Sequence, residues 1–320
     1  MAVHGKLYQS VAIWRQIGEI RVKCLNEISY QAFFDEEAKI NSEKSVVDLS
    51  KKHDSYLMRA YDIKDINGRN RVMDNNPIIV LGDSCPQIGY YTRPKTYGKE
   101  YEMVSRYIDF IKKQNQGNKL KHVAIFIEPQ IASGYPDLVV VEYFSNPSIM
   151  WSIQRRELGK TELQLLYFIQ SHKRTYSTRI SELLGFSDVE VKNSLKKLEK
   201  CSLVRWYQNN AVHAIELSKY CRINKIISIE AKIDKWKEAI RQAEMNMWFS
   251  TESYILLNKN GYSQKTYDEC CNKGIGIILV NGNICKELKS RKREFPVSYA
   301  SLQFNEWLQG FQREIKNDFK

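Results

Sequence analysis

The chain has 320 residues, 43% of them hydrophobic, and carries a formal net charge of +12 with a pI near 9.2. That length and apolar content predict two or three folded domains with a real core and exclude a disordered or fibrous chain. The excess of positive charge favours a polyanionic partner, nucleic acid being the simplest.

The cysteines, at Cys24, Cys85, Cys201, Cys221, Cys270, Cys271 and Cys285, form no C-x-x-C pair and have no His at a zinc-binding spacing. A scattered, odd set predicts reduced thiols in a reducing compartment. The first residues lack the apolar run of a signal peptide, and no apolar stretch reaches membrane-spanning length. The expectation is a cytoplasmic protein with no membrane partner.

Residues 1–76 mix apolar and polar positions without one period and read as an N-terminal accessory region. Residues 77–82 form a short apolar run, predicted as a strand. Residues 99–114 are predicted helical, because Met103, Val104, Tyr107, Ile108 and Ile111 recur at i, i+3, i+4 spacing. Glu100 lies on that face one turn earlier. It is either a first-turn carboxylate favoured by the helix dipole or a site residue. Residues 122–128 and 135–143 are apolar runs joined through Ser133 and Gly134, which predicts a hairpin. Asp137 stands at the mouth of the second strand. A buried carboxylate without a partner is costly, so it either meets solvent there or is engaged.

Residues 161–171, 178–184 and 187–201 predict three amphipathic helices, with Ser177 read as the N-cap of the second and Gly185 as the turn after it. Ser187 and Glu190 form a capping box at the start of the third. Residues 203–207 and 211–217 flank Asn209 and Asn210 and predict a β-hairpin. Three helices and a hairpin in this order resemble a winged helix-turn-helix. Val191, Leu195 and Leu198 then face the core, leaving Lys192, Asn193, Lys196, Lys197 and Lys200 outward. The resemblance implies that this helix enters the DNA major groove, with Arg205 on the hairpin as a further contact. The same lysines could form a merely solvated face, and such modules also bind proteins.

Residues 227–232 predict a buried strand. Alternation puts Glu230 and Lys232 on one face and Ala231 on the other. A carboxylate beside an ammonium suits metal-assisted cleavage: the first can hold a divalent cation, the second can position water or stabilise charge on a phosphate. Residues 234–248 predict a helix striped by Trp236, Ala239, Ile240, Ala243 and Met247 and flanked by Gln242. Strands are expected at 252–257 and 274–280, a short helix at 267–271, a basic cluster at Arg291, Lys292 and Arg293, and a closing amphipathic helix at 301–316.

With 151–221 set aside, the order of elements is similar to the PD-(D/E)xK nuclease superfamily, the restriction-endonuclease-like fold. The likeness rests on Tyr135-Pro136-Asp137, on Glu230-Ala231-Lys232, on the helix with Gln242, on residues 253–256 and on Gly274 to Ile278. It implies an α/β protein: a mixed sheet flanked by helices, built from 77–150 and 222–320, with a winged helix inserted at 151–221. It also implies that Asp137 and Glu230 hold Mg²⁺ or Mn²⁺, that Lys232 assists the attacking water, that Glu100 is an accessory acid and that Gln242 lies near the site. The activity implied is a DNA endonuclease, a hydrolase in which water attacks phosphorus while the cation neutralises developing charge.

One feature departs from the superfamily, where the Asp and the E-x-K are usually close in sequence. Here the insertion separates them, so the strand pairing is inferred and Glu128 and Glu142 remain possible substitutes for Asp137. An insertion is acceptable when its termini are close, and would set a DNA reader beside the cutter. The alternative is a non-catalytic winged-helix DNA-binding protein, a transcription or replication factor or a nuclease-like scaffold, with Glu230 and Lys232 as a structural ion pair. One active site cuts one strand per encounter, so a double-strand break would call for a homodimer or a partner protein.

Overall fold

In the computed structural model, residues 78–318 are described, apart from 95–96, 117–121, 145–150, 173, 208–210 and 282. The accessory region expected at 1–76 lies outside them. The described residues all belong to one unit, Val72–Lys320.

In chain order the elements are β1 (Ile78–Leu81), α1 (Lys99–Asn115), β2 (His122–Ile127), β3 (Leu138–Tyr143), α2 (Lys160–His172), β4 (Thr175–Tyr176), α3 (Ser177–Leu184) and α4 (Asp188–Lys200). Then follow β5 (Val204–Trp206), β6 (Ala211–Ala214), β7 (Ile223–Lys232), α5 (Trp236–Asn246), β8 (Glu252–Asn258), α6 (Gln264–Lys273), β9 (Gly276–Asn281), β10 (Asn283–Leu288) and α7 (Tyr299–Asp318).

The main sheet is mixed and seven-stranded, ordered β1-β2-β3-β7-β8-β9-β10. β2 and β3 are the expected antiparallel hairpin, and β7 lies antiparallel against β3. β8 and β9 continue parallel to β7. Both faces are covered, which is why the central strands read as nearly continuous apolar runs. On one face, Leu138 and Val140 of β3 join Ile227, Ile229 and Ala231 of β7 under the apolar stripe of α1. On the other, Val139 and Val141 pack with Phe304, Trp307 and Leu308 of α7, while Ile255 and Leu257 of β8 meet Ala239, Ile240 and Ala243 of α5.

Residues 144–222 leave the sheet after β3 and return at β7, its neighbour. Within them, α2, α3 and α4 pack beside a small antiparallel sheet ordered β4-β6-β5. Val191, Leu195 and Leu198 are fully buried, as their spacing predicts. Buried Arg155 ion-pairs with Glu306 of α7 and also donates to the carbonyl of Tyr220, pinning both ends of this segment to α7.

The capping box at α4 forms, with the Glu190 N–H on Ser187 Oγ and the Ser187 N–H on Glu190 Oε2. Ser177, by contrast, is the first residue of α3 rather than its cap; Tyr176 occupies the cap position without a side-chain bond. Residue 217 belongs to a 3₁₀ turn, so the second hairpin strand stops at Ala214. Gly274 caps α6 in the left-handed conformation (φ 72°) instead of opening a strand. The strand starts at Gly276, where an added Cβ would lie 2.2 Å from the Tyr254 ring. Cys85, Cys201, Cys221, Cys270 and Cys271 are free, and burial pushes the thiol of Cys201 up to about 11 and those of Cys221 and Cys270 up to about 12.

Candidate active site

The register Leu138↔Ile229 sets the start of β3 beside the C-terminal end of β7. Asp137 immediately precedes β3, so its carboxylate falls next to Glu230 and Lys232. Asp137 Oδ2 accepts the Ala231 N–H at 2.8 Å, a bond between residues 94 apart in sequence. Its exposure at the strand mouth is partial, and it is engaged; both readings left open above describe it.

Lys232 Nζ lies 3.6 Å from Asp137 Oδ2 and 3.5 Å from Glu100 Oε2, and donates to the Ala231 carbonyl at 3.0 Å. Glu100 is thus both a first-turn residue of α1 and a member of the cluster. Glu230 is 3% exposed and accepts a hydrogen bond from Asn246 Nδ2 at 2.5 Å.

These contacts decide the charge states. Burial, then the neighbouring Asp137 carboxylate, holds the Glu230 carboxyl well above the usual carboxylate range, against the opposing pull of Asn246 and Lys232. Burial draws the Lys232 ammonium down, but Asp137, Glu100 and Glu230 outweigh it and leave it raised. The lysine therefore stays charged, while Glu230 tends to keep a proton that a cation would replace.

The cluster opens on a cleft of about 110 Å³ whose wall includes Arg93, Glu100, Tyr101, Tyr135, Asp137, Lys232 and Gln242. A wider recess of about 410 Å³, walled by Lys235 and Glu238, shares Arg93, Glu100, Lys232 and Gln242 with it. The buried Oε1 of Gln242 has no hydrogen-bond partner among the described residues. Glu128 lines the cleft in a left-handed conformation (φ 47°), its carboxylate 3.7 Å from the Arg93 guanidinium. Glu142 lies at the other end of β3, opposite Lys225 and 3.6 Å from its ammonium, so it does not reach the cluster.

Among the described residues no group of three or more His, Cys, Asp or Glu is placed to hold a metal ion. Two carboxylates are nevertheless a common protein share for Mg²⁺, which keeps several waters and takes its remaining oxygens from substrate phosphates. The oxygen donors of Asp137 and Glu230, the proton-retaining Glu230 and the unpartnered Gln242 oxygen fit such an ion.

On α4, Lys192, Asn193, Lys196 and Lys200 are exposed, as is Arg205 on β5. Lys197 differs: its ammonium lies 3.0 Å from the buried Glu162 carboxylate, which Ser194 Oγ also reaches at 3.0 Å. Burial pushes the Glu162 pKa up, but the bonds from Lys197, Gly159 and Ser194 outweigh it and leave it lowered. The segment carrying α4 joins the sheet at Tyr143 and Ile223, the ends of β3 and β7 remote from Asp137 and Glu230. It therefore springs from the far end of the strands, and attachment alone does not set it beside the cluster.

Sequence reading missed two participants. Asn246 stands four residues after Gln242 on α5, a spacing that signals a shared face. Arg93 lies in a loop with no local signal. No protein family, curated protein or solved structure matches this chain.

Proposed function

We propose that this chain is a metal-dependent DNA endonuclease of the PD-(D/E)xK kind, with a restriction-endonuclease-like sheet and an inserted winged helix that engages DNA. The observation that carries the reading is that Asp137, Lys232 and Glu100, from three separate stretches of the chain, line one cleft, with Glu230 buried next to the Asp137 carboxylate.

In this mechanism Asp137 and Glu230 would hold the cation, with Asn246 fixing the rotamer of Glu230. A bound Mg²⁺ or Mn²⁺ would supply charge neutralisation and a more acidic water. Lys232, kept protonated by its three acidic neighbours, places a positive charge where the phosphate gains negative charge. Glu100 holds Lys232 from the solvent side. A water oxygen forms a bond to phosphorus and gives up a proton to solvent, the bond to the leaving ester oxygen breaks, and that oxygen takes a proton from solvent. Gln242 is left to receive a hydrogen bond from that water or from substrate.

Exposed Lys192, Asn193, Lys196, Lys200 and Arg205 support a phosphate- and base-contacting face. No helix among the described residues is long and apolar enough to cross a membrane. A reducing, cytoplasmic setting accords with the free thiols of Cys85, Cys201, Cys221, Cys270 and Cys271.

The test is cleavage of supercoiled and linear DNA with Mg²⁺ or Mn²⁺ against a chelator. Metal-dependent nicking is expected, reduced by about 10²–10³ in Lys232→Ala and in Glu230→Gln, the cost of losing a positioned charge-stabilising group. Binding without cleavage on any DNA form would instead favour the non-catalytic DNA-binding protein.

A further inference from the structure

We propose that the nuclease cleft takes a nucleotide whose base is unpaired, stacked on Tyr101 and Tyr135, so that the preferred substrate is single-stranded or locally opened rather than continuous duplex. This rests on the nuclease reading above and adds the form of the substrate.

Both rings line the cleft that holds Asp137 and Lys232, and each residue is 38% exposed. Tyr101 follows Glu100 and Tyr135 stands two residues before Asp137, so the rings are tied to the acidic cluster by the backbone itself. Tyr97, 84% exposed, lies 6.0 Å from Tyr101 between ring centroids and extends the surface outward. The Arg93 guanidinium lies over the Tyr135 ring, 5.8 Å from its centroid, and adds a cationic plane on that side of the cleft.

An intact duplex offers this surface little. Its bases are stacked on one another, and its backbone presents phosphates and sugars, which call for cations and hydrogen-bond donors. Exposed aromatic rings beside an arginine plane are a means by which proteins hold unpaired bases, since every base has a π-face to stack. The inner cleft is small, about 110 Å³, and opens beside the recess of about 410 Å³, a hollow that suits a single flipped or unpaired unit better than a double helix.

The test uses the full chain and one sequence in three forms: single-stranded, fully paired, and paired with a short unpaired central loop bearing 2-aminopurine. With Mn²⁺, the unpaired forms are expected to be cut about tenfold or more faster than the duplex, in line with stacking energetics. Tyr101→Ala and Tyr135→Ala should each collapse that ratio, Tyr→Leu should behave like Tyr→Ala, and Tyr→Phe should retain the preference. In chelator, where nothing is cut, the wild-type chain should quench 2-aminopurine fluorescence and the double alanine variant should not. Quenching that depends on the tyrosines without any cleavage would support the platform while the nuclease reading fails. Equal cutting of paired and unpaired DNA, with a ratio indifferent to the rings, would overturn the platform and leave the nuclease intact. Absence of quenching by any nucleic acid, or quenching that survives in the double variant, also overturns it and would point to a protein occupant.

Discussion

Asn246 donates from α5 to Oε1 of Glu230 at 2.5 Å, so a helix residue 16 positions further along holds the most buried carboxylate of the site. A carboxylate held by one amide has a single rotamer to offer a cation. Replacing Asn246 by Ala leaves the oxygen without that donor, at a cost of about 1–3 kcal/mol in stability. It should also weaken the apparent Mg²⁺ affinity by about 10–100-fold, the usual effect of removing a ligand's hydrogen-bond partner. Measuring cleavage rate against metal concentration checks this. A metal dependence identical to the wild type would show that Asn246 only fills space.

The elevated pKa of Glu230 makes a pH prediction. In the unfolded chain a glutamate titrates near about 4.3. Because the folded carboxyl binds its proton more tightly, its contribution to stability is complete below the unfolded value. It is lost as pH rises through the folded value. In chelator, wild-type Tm should therefore fall between pH 5 and neutrality more than that of Glu230→Gln, which has no such group. A divalent cation reverses this at neutral pH, by about 2.7 kcal/mol at a concentration of 100 Kd. Thermal melting with and without Mg²⁺ at pH 5 and pH 7.5 separates the two. Equal metal stabilisation at both pH values, or its survival in Glu230→Gln, would place the cation elsewhere.

The parts of this site that were readable from sequence are those set by a local period. Strand alternation alone put Glu230 and Lys232 on one face, and the i, i+3, i+4 stripe of α1 put Glu100 on the same face as Met103 and Val104, where it stays exposed at the helix start. The Asp137–Ala231 bond was beyond such reading, because it depends on β3 pairing antiparallel with β7 across the whole 144–222 segment. The same antiparallel pairing decides that the insertion attaches away from the site. β10 escaped for another reason. It is an edge strand in which half-buried Ile284 and Leu288 alternate with exposed Lys286, too weak a pattern to distinguish from a loop.

The lysines of α4 should divide into two classes. Lys192→Ala and Lys196→Ala remove exposed charges and should each lower the salt slope of DNA binding by about 1 without moving Tm. Lys197→Ala should do the reverse, since its ammonium is committed to Glu162. Half of the Lys197 side chain is in solvent, and Ser194 and Gly159 still serve the carboxylate. The loss is therefore about 1 kcal/mol, below the roughly 1.5–3 kcal/mol of a buried hydrogen bond to a charged group because solvent screens the pair. The Glu162 pKa is lowered, so this stabilisation is present above the unfolded value and fades as pH falls below about 4.3. Salt titrations of binding and melting curves at two pH values check both halves. A salt slope lowered as much in Lys197→Ala as in Lys192→Ala would overturn the division.

The placement of the insertion predicts where cutting occurs relative to binding. From Leu138 to Tyr143 the strand runs roughly 17 Å at about 3.3 Å per residue, and the segment carrying α4 begins beyond that far end. Arg155, Glu306 and Tyr220 clamp both of its ends to α7, which opposes a swing toward the cleft. If α4 lies in a major groove, a single chain should cut at least roughly 5 base pairs from the groove it occupies, at about 3.4 Å per nucleotide step. Footprinting with Lys232→Ala, which should bind DNA without cutting it, can be laid against cut sites mapped with the wild type. A cut inside the groove protected by α4 would mean that the insertion folds back over the cleft or that another surface reads the DNA.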